Sequence, residues 1–186
     1  MESALNDLGR VLADRGLAYE LVTVGGSSLM LLGLLQRPTR DLDVVALVED
    51  GQYVKARELP ILLQEAVRDV GAVLGIGPAW LNVGPADLLD LGLPLGFASR
   101  TELRRYGPLT LHVAAREDQV ALKLYAAADQ GSTSKHFQDL ESLAPTQREL
   151  VQGARWALTH DPSAAFRGEL VATLTALGLA DADSLL

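Results

Sequence analysis

Hydrophobic positions along the chain follow two different periods. A helical spacing of apolar side chains begins near the amino terminus, at Leu5, Leu8, Val11 and Leu12. Short runs rich in valine and leucine, bounded by glycine or proline, are typical of strands instead. These patterns predict helices at 2–16, 27–35, 58–74, 117–129, 133–143, 146–160 and 163–178, and strands at 18–24, 41–48, 96–100 and 109–114.

The order of these elements changes near residue 116. Helices and strands are mixed before that point, whereas every predicted element after it is a helix. We therefore expect an α/β (α+β) fold, in which residues 1–116 form a small mixed β-sheet flanked by helices. Residues 117–186 would form a helical C-terminal part that packs against this core as one compact unit.

Composition and charge narrow the function classes. The 186-residue chain has a net charge of −8, so contact with a polynucleotide would have to be local. The chain has no cysteine, which excludes disulfides and thiolate metal ligands. Its acidic, amphipathic start is unlike a secretory signal, and its longest apolar run, residues 29–35, is too short to cross a bilayer. We expect a cytoplasmic protein with no membrane partner.

The stretch 24-VGGSSLMLLGLLQRPTRDLDVV-45 carries a pair of aspartates at the start of a predicted strand. Residues alternate sides along a strand, so Asp41 and Asp43 would point the same way and repel each other. A divalent cation removes this repulsion, and magnesium prefers carboxylate oxygens together with waters and substrate phosphates. Arg37 and Arg40 would neutralise phosphates or the aspartates. Solvated loop arginines and carboxylates that cap a surface strand fit the same residues.

A pair of glycines precedes the aspartates. Gly25 and Gly26 end a predicted strand just before a helix, where backbone N–H groups and a helix N-terminus suit a phosphate. Ser27 and Ser28 are expected to cap that helix. The alternative is that the glycines merely turn the chain. The order and spacing of the glycines and the aspartates favour the functional interpretation.

These residues resemble a known family. A glycine pair that ends a strand, a helix, and then Asp-x-Asp on the next strand is the signature of the polymerase-beta-like nucleotidyltransferases. The Gly-Gly…Leu…Arg-x-Thr-x-Asp-Leu-Asp form looks most like the AbiEii-type toxin nucleotidyltransferases and their relatives. The segments 80-WLN-82, 123-KLYAAADQG-131 and 135-KHFQDLESLAPTQREL-150 are similar to later motifs of that group. The resemblance covers roughly residues 18–160.

The resemblance implies a nucleotide site and a metal site. It assigns the triphosphate of a nucleoside triphosphate to Gly25, Gly26 and Ser27. It assigns Mg²⁺, or Mn²⁺, to Asp41 and Asp43. The implied reaction moves a nucleoside monophosphate from the triphosphate to a hydroxyl of RNA, such as tRNA, or of a protein. The implied biological setting is a toxin–antitoxin pair, with an antitoxin protein as partner.

Two residues of the C-terminal half extend the implied site. Lys123 would contact phosphate, and Asp139 would orient the substrate or act as a base. Lys123 lies in the apolar helical run LKLYAAA, where a lysine must either reach the solvent or find an anion. A lysine that reaches solvent and a solvated helical carboxylate fit these two positions as well.

One departure from the family leaves an alternative open. Many members place a third metal carboxylate on a neighbouring strand, but strand 109–114 carries His112 and no acid. The spacing of Asp87, Asp90 and Glu102 does not point to the site. The alternative is therefore a non-catalytic protein of the same fold that acts as a nucleotide sensor or partner-binding module. A dinucleotide-binding oxidoreductase is disfavoured, because the glycine pattern and repeated βαβ units are missing.

Overall fold

The computed structural model describes residues 1–36, 39 and 41–186. It has a mixed helix and sheet fold, so the predicted α+β class is confirmed. The chain divides into two compact units, Met1–Ala114 and Ala115–Leu186. Among the described residues, no helix combines the length and the apolar character that crossing a membrane requires.

The first unit contains a six-stranded sheet and five helices within the described residues. Its helices are α1 Glu2–Asp14, α2 Gly25–Leu31, α3 Ile61–Leu74, α4 Asp87–Leu91 and α5 Phe97–Arg100. Its strands are β1 Tyr19–Val24, β2 Leu42–Glu49, β3 Gln52–Val54, β4 Leu81–Asn82, β5 Glu102–Tyr106 and β6 Leu109–Val113.

The sheet is mixed and has the order β3-β2-β1-β6-β5, with the short β4 also paired to β2. Strand β1 is antiparallel to β2 and parallel to β6, whereas β4 runs parallel to β2. The end of β1 therefore meets the beginnings of β2 and β4 at one edge of the sheet. In that register Asp43 lies between Val24 of β1 and Asn82 of β4. This edge carries the glycine and aspartate pairs.

The main core of the first unit lies on one face of the sheet. Leu21 and Leu111 of the strands pack in one cluster with Leu8 of α1 and Leu63 of α3, and all four are fully buried. Trp80 belongs to the same cluster, and its indole N–H donates to the backbone oxygen of Val67 at 2.9 Å. That bond ties the residue before β4 to α3, which holds β4 beside β2.

The strand predicted at 96–100 is wrong. Gly96 adopts a left-handed φ of 79°, and the next four residues form the single turn of α5 with Phe97 buried. The strand begins instead at Glu102 and reads ELRRY, a charged sequence that strand propensities disfavour. Its position at the sheet edge explains the charges, because edge strands are protected from further pairing by charged side chains.

The second unit is helical. Its helices are α6 Arg116–Gln130, α7 Lys135–Leu143, α8 Gln147–His160, α9 Ala164–Ala176 and α10 Ala182–Leu185. Helix α6 packs against α7, α8 and α9. Polar side chains cap three of these helices: Ser134 begins α7, Thr146 begins α8 in a capping box with Glu149, and Ser163 begins α9.

Glu149 also joins α8 to α6. Arg116 Nε donates to Glu149 Oε1 at 2.7 Å, and a second guanidinium nitrogen of Arg116 donates to the backbone oxygen of Leu143 at 2.8 Å. Partial burial alone raises the pKa of Glu149, but the hydrogen bonds from Arg116 and Thr146 outweigh it, so that pKa lies below its usual value. The ionised carboxylate therefore stabilises the folded second unit.

Candidate functional site

The backbone of Gly25 lies directly beneath the carboxylate of Asp43. Gly25 has a φ of +83°, and a Cβ atom there would stand 2.5 Å from Asp43 Oδ2. Both the left-handed backbone and the missing space require glycine at this position. Because Val24 is the register partner of Asp43, the sheet itself holds the glycine turn against the acid.

Ser27 fixes the segment that leads into β2. Its buried hydroxyl group donates to the backbone oxygen of Asp41 and also bonds the hydroxyl group of Thr39. Asp41 itself is exposed, just before β2 begins, while Asp43 is half-buried within the strand. The structure thus brings Gly25 against the Asp43 carboxylate and Ser27 against the backbone of Asp41.

The predicted capping of α2 by serine is wrong. The helix begins at Gly25 and its N-cap is Val24, which makes no side-chain cap hydrogen bond. Ser28 Oγ instead donates to the backbone oxygen of Val24 at 2.9 Å, a bond from the first turn back to the end of β1. Helix α2 is seven residues long, so the assignment of a triphosphate to Gly25, Gly26 and Ser27 stays a prediction that its dipole supports only modestly.

Asn82 is the polar neighbour that the sequence patterns did not identify. Its Nδ2 donates to Asp43 Oδ1 at 3.4 Å, and its Oδ1 accepts from the backbone N–H of Gly84 at 2.8 Å. The residue pairs with Asp43 across β4 and β2, which is the place where a third ligand on a neighbouring strand would stand. The segment 80-WLN-82 belongs to the family resemblance, but only the pairing of β4 with β2 shows that Asn82 lies beside Asp43.

The charge of this edge suits a hard cation. Two carboxylates, of Asp41 and Asp43, lie two residues apart, and the amide N–H of Asn82 donates to one oxygen of Asp43. Oxygen donors of this kind match the preference of Mg²⁺ and Mn²⁺. Within residues 1–36, 39 and 41–186, no three histidine, aspartate or glutamate side chains group together as a metal site would need. A cation at this edge would therefore depend on substrate phosphates and water for its remaining ligands.

The remaining candidates for a third metal ligand, and His112 of strand β6, contact other side chains. Lys55 donates to Asp87 Oδ1 at 2.5 Å and also bonds Asp90, and these hydrogen bonds raise the pKa of Lys55. Glu102 contacts Arg104 at 3.3 Å, within the same edge strand. His112 contacts Glu20 at 2.8 Å, on the two strands β6 and β1. None of these contacts joins the group around Asp43.

Lys123 and Asp139 form a buried ion pair in the second unit. Lys123 Nζ donates to Asp139 Oδ2 at 2.6 Å, and the two side chains are 5% and 1% exposed. A lysine in an apolar run needs an anion, and helix α7 supplies one to helix α6. With so little surface, the pair would meet a substrate only after rearrangement. The phosphate-contacting and base roles that the resemblance implies therefore stay predictions.

Two further residues assigned to the nucleotide, Arg37 and Arg40, lie outside the described residues. Comparisons of the chain with family models, with curated proteins and with solved structures gave no match. The assignment of function therefore rests on the arrangement of the first unit's sheet edge and on the sequence motif.

Proposed function

We propose that the chain is a nucleotidyltransferase that depends on Mg²⁺ or Mn²⁺. The observation that carries the proposal is the close approach of the Asp43 carboxylate to the glycine turn at Gly25, where a Cβ atom would stand 2.5 Å from Asp43 Oδ2. A phosphate held at that turn would lie beside the acids that hold the cation. Transfer of a nucleotidyl group needs this proximity, because the cation must neutralise phosphate charge as it develops.

In this proposal two residues bind the cation and two others hold those residues in position. Asp41 and Asp43 would hold the cation, which supplies charge neutralisation at the triphosphate. Asn82 would orient the Asp43 carboxylate through its amide N–H, a role that partners of metal ligands commonly have. Ser27 would hold the backbone of Asp41 in place by the hydrogen bond to its carbonyl oxygen.

The reaction proposed is an in-line substitution at phosphorus. An acceptor hydroxyl oxygen forms a bond to the α-phosphorus, the bond from that phosphorus to the bridging oxygen breaks, and pyrophosphate leaves. The hydroxyl proton passes to a base or to solvent. Positioning and charge neutralisation provide most of the rate in such reactions.

The proposed acceptor is a hydroxyl group of RNA, such as tRNA, or of a protein. A cytoplasmic setting and an antitoxin partner belong to the same proposal. The antitoxin partner follows from the resemblance to the AbiEii-type toxins, and the cytoplasmic setting agrees with a chain that has no cysteine.

A second candidate function is nucleotide sensing without transfer. Two observations favour it: the described residues hold no group of three metal-binding side chains, and the side chains of Lys123 and Asp139 are almost fully buried. Such a protein would bind a nucleoside triphosphate with its cation and change its interactions with a partner. It would release the triphosphate unchanged.

Label transfer separates the two functions. The purified protein is incubated with Mg²⁺ and with each nucleoside triphosphate labelled either at the α- or at the γ-phosphate, in the presence of total RNA and total protein. A nucleotidyltransferase incorporates the α-label and not the γ-label, and Asp41→Asn/Asp43→Asn abolishes the incorporation. Incorporation of the γ-label would indicate a kinase and contradict the proposal, and binding without incorporation would favour the sensor.

The matched control is Asp14→Asn/Asp50→Asn, which makes the same change of charge at two exposed positions. Asp50 follows β2 at the end opposite to Asp43, about 23 Å away along the strand. Asparagine tolerates its positive φ of 49°. We expect this variant to retain the incorporation of the wild-type protein.

A further inference from the structure

A cleft adjoins the candidate site at Asn82. It has a volume of about 380 Å³ and lies between α3, the residues before it, and the segment around β4. Asn82 and Leu81 line it from β4, and Arg57, Gln64 and Arg68 line it from the other side. Asn82 therefore borders this α3–β4 cleft and contacts Asp43 at the same time.

The charged side chains of the cleft are mainly cationic. Arg57 and Arg68 are exposed, and among residues 1–36, 39 and 41–186 neither guanidinium group forms a side-chain hydrogen bond or an ion pair within 4 Å. Glu58 is an acid that lines the same cleft. The hydrogen bond from Lys55 and, at longer range, the charge of Arg57 hold the pKa of Asp87 below its usual value. In a chain with a net charge of −8, two exposed arginines on one concave surface are suited to an anionic ligand.

The floor of the cleft is apolar. Exposed Pro78 and Ala79 supply its open apolar surface, and the buried side chains of Leu59, Val67 and Leu81 lie beneath them. An apolar floor with a few polar groups on the rim is typical of small-molecule sites, and the volume lies within the usual range for such pockets. A ligand that combines a flat apolar ring with a phosphate satisfies both parts of the cleft.

We propose that the α3–β4 cleft binds one nucleotide unit, with its phosphate on Arg57 and Arg68 and its base on the apolar floor. The inference takes its substrate class from the proposed function, because Asn82 connects this cleft to Asp43. The nucleotide unit has two sources, the nucleoside triphosphate itself and the terminal nucleotide of an RNA acceptor. Both present the same base and phosphate, and binding measurements distinguish them.

The test compares two double variants that each remove two arginines. Arg57→Gln/Arg68→Gln changes the cleft, and Arg105→Gln/Arg148→Gln removes the same charge from two exposed positions outside it. One titration uses ATP with Mg²⁺, and the other uses a fluorescein-labelled single-stranded tetraribonucleotide. Circular dichroism first confirms that both variants are folded.

We expect Arg57→Gln/Arg68→Gln to weaken the binding of one of the two ligands by about tenfold or more. Hydrogen bonds to charged groups contribute at least about a factor of ten to the dissociation constant. The control variant should leave both affinities within about twofold of wild type, because its arginines contribute only diffuse charge. Weaker ATP binding identifies the triphosphate as the source, and weaker tetranucleotide binding with unchanged ATP identifies the acceptor. Equal effects of the two variants, or no effect of either, would overturn the inference.

The outcomes also separate this inference from the proposed function. If Asp41→Asn/Asp43→Asn abolishes ATP binding while Arg57→Gln/Arg68→Gln changes nothing, the metal site stands and the cleft assignment fails. If the wild-type protein binds no ATP but the cleft variant loses affinity for the tetranucleotide, the cleft stands and the transferase fails. Binding of neither ligand by the wild-type protein contradicts both.

Discussion

Replacing Gly25 by alanine tests whether Asp43 lies against the glycine turn. The left-handed φ of +83° at Gly25 costs an alanine about 1–2 kcal/mol by itself. The new Cβ atom would also stand 2.5 Å from Asp43 Oδ2, well inside van der Waals contact. Moving the Asp43 side chain off its rotamer adds about 1 kcal/mol. We therefore expect Gly25→Ala to destabilise the protein by about 2–3 kcal/mol in total.

Gly16 provides the matched control. It has a φ of +65°, and a Cβ atom there would meet nothing within 4 Å. Gly16→Ala should therefore cost only the backbone part, about 1–2 kcal/mol. The difference between the two variants, about 1 kcal/mol, measures the contact with Asp43.

Urea unfolding measures both costs. The fluorescence of Trp80, which is buried in the first unit, follows the transition once Trp156 of the second unit is replaced by Phe. In an Asp43→Ala background the extra cost of Gly25→Ala should disappear, because the clashing carboxylate is gone. Equal costs of Gly25→Ala and Gly16→Ala in the wild-type background would refute the contact. An extra cost that persists without Asp43 would refute it as well.

Three further predictions concern the ion pairs and Asn82. Lys123→Met should destabilise the protein by about 3–5 kcal/mol in urea unfolding, because it removes the positive charge that balances the buried Asp139 carboxylate. Lys123→Met/Asp139→Leu should recover much of that loss. The pKa of Glu149 is lower in the folded protein than its unfolded value of 4.5, so its stabilising contribution is present above pH 4.5 and is lost as the pH falls through the folded pKa. The urea midpoint of Glu149→Gln should therefore depend less on pH in that range than the midpoint of the wild-type protein. Asn82→Ala should weaken Mn²⁺ binding by about tenfold in calorimetry, and Asn82→Asp should strengthen it by adding a third carboxylate.

Each of these has an outcome that contradicts it. A double variant at Lys123 and Asp139 that is less stable than Lys123→Met would show that the pair does more than satisfy buried charge. An unchanged pH profile in Glu149→Gln would remove Glu149 as the source of the acid dependence. Identical Mn²⁺ affinities of the Asn82 variants would mean that Asn82 does not act on Asp43.

Local signals predict the helices well, because a helix carries its own periodicity and caps. Helix α1 follows from the spacing of Leu5, Leu8 and Leu12, and α8 begins where Thr146 and Glu149 form a capping box. Strand β5 was missed because its stability depends on pairing with β6 rather than on its own charged residues. The predicted start of α2 at Ser27 is wrong because the hydroxyl groups of Ser27 and Ser28 bond the backbone oxygens of Asp41 and Val24 and do not cap the helix.

The candidate site was only partly predictable for the same reason. The spacing of Gly25 and Asp43 indicated a shared site, but their contact depends on the antiparallel register of β1 and β2. The segment 80-WLN-82 resembles a family motif, but the pairing of Asn82 with Asp43 does not follow from the sequence, because β4 has two residues and no period. The pairing of Lys123 with Asp139 arises from the packing of α6 on α7, which brings together residues 16 positions apart.

The central claim is that Asp41 and Asp43 hold a cation together with a nucleoside triphosphate. Calorimetric titration of ATP, CTP, GTP and UTP into the protein, with and without Mg²⁺, tests it most directly. We predict Mg²⁺-dependent binding of at least one triphosphate, which Asp41→Asn/Asp43→Asn abolishes and Asp14→Asn/Asp50→Asn retains. Binding of none of the four by the folded protein, or equal binding by the two double variants, would contradict the account.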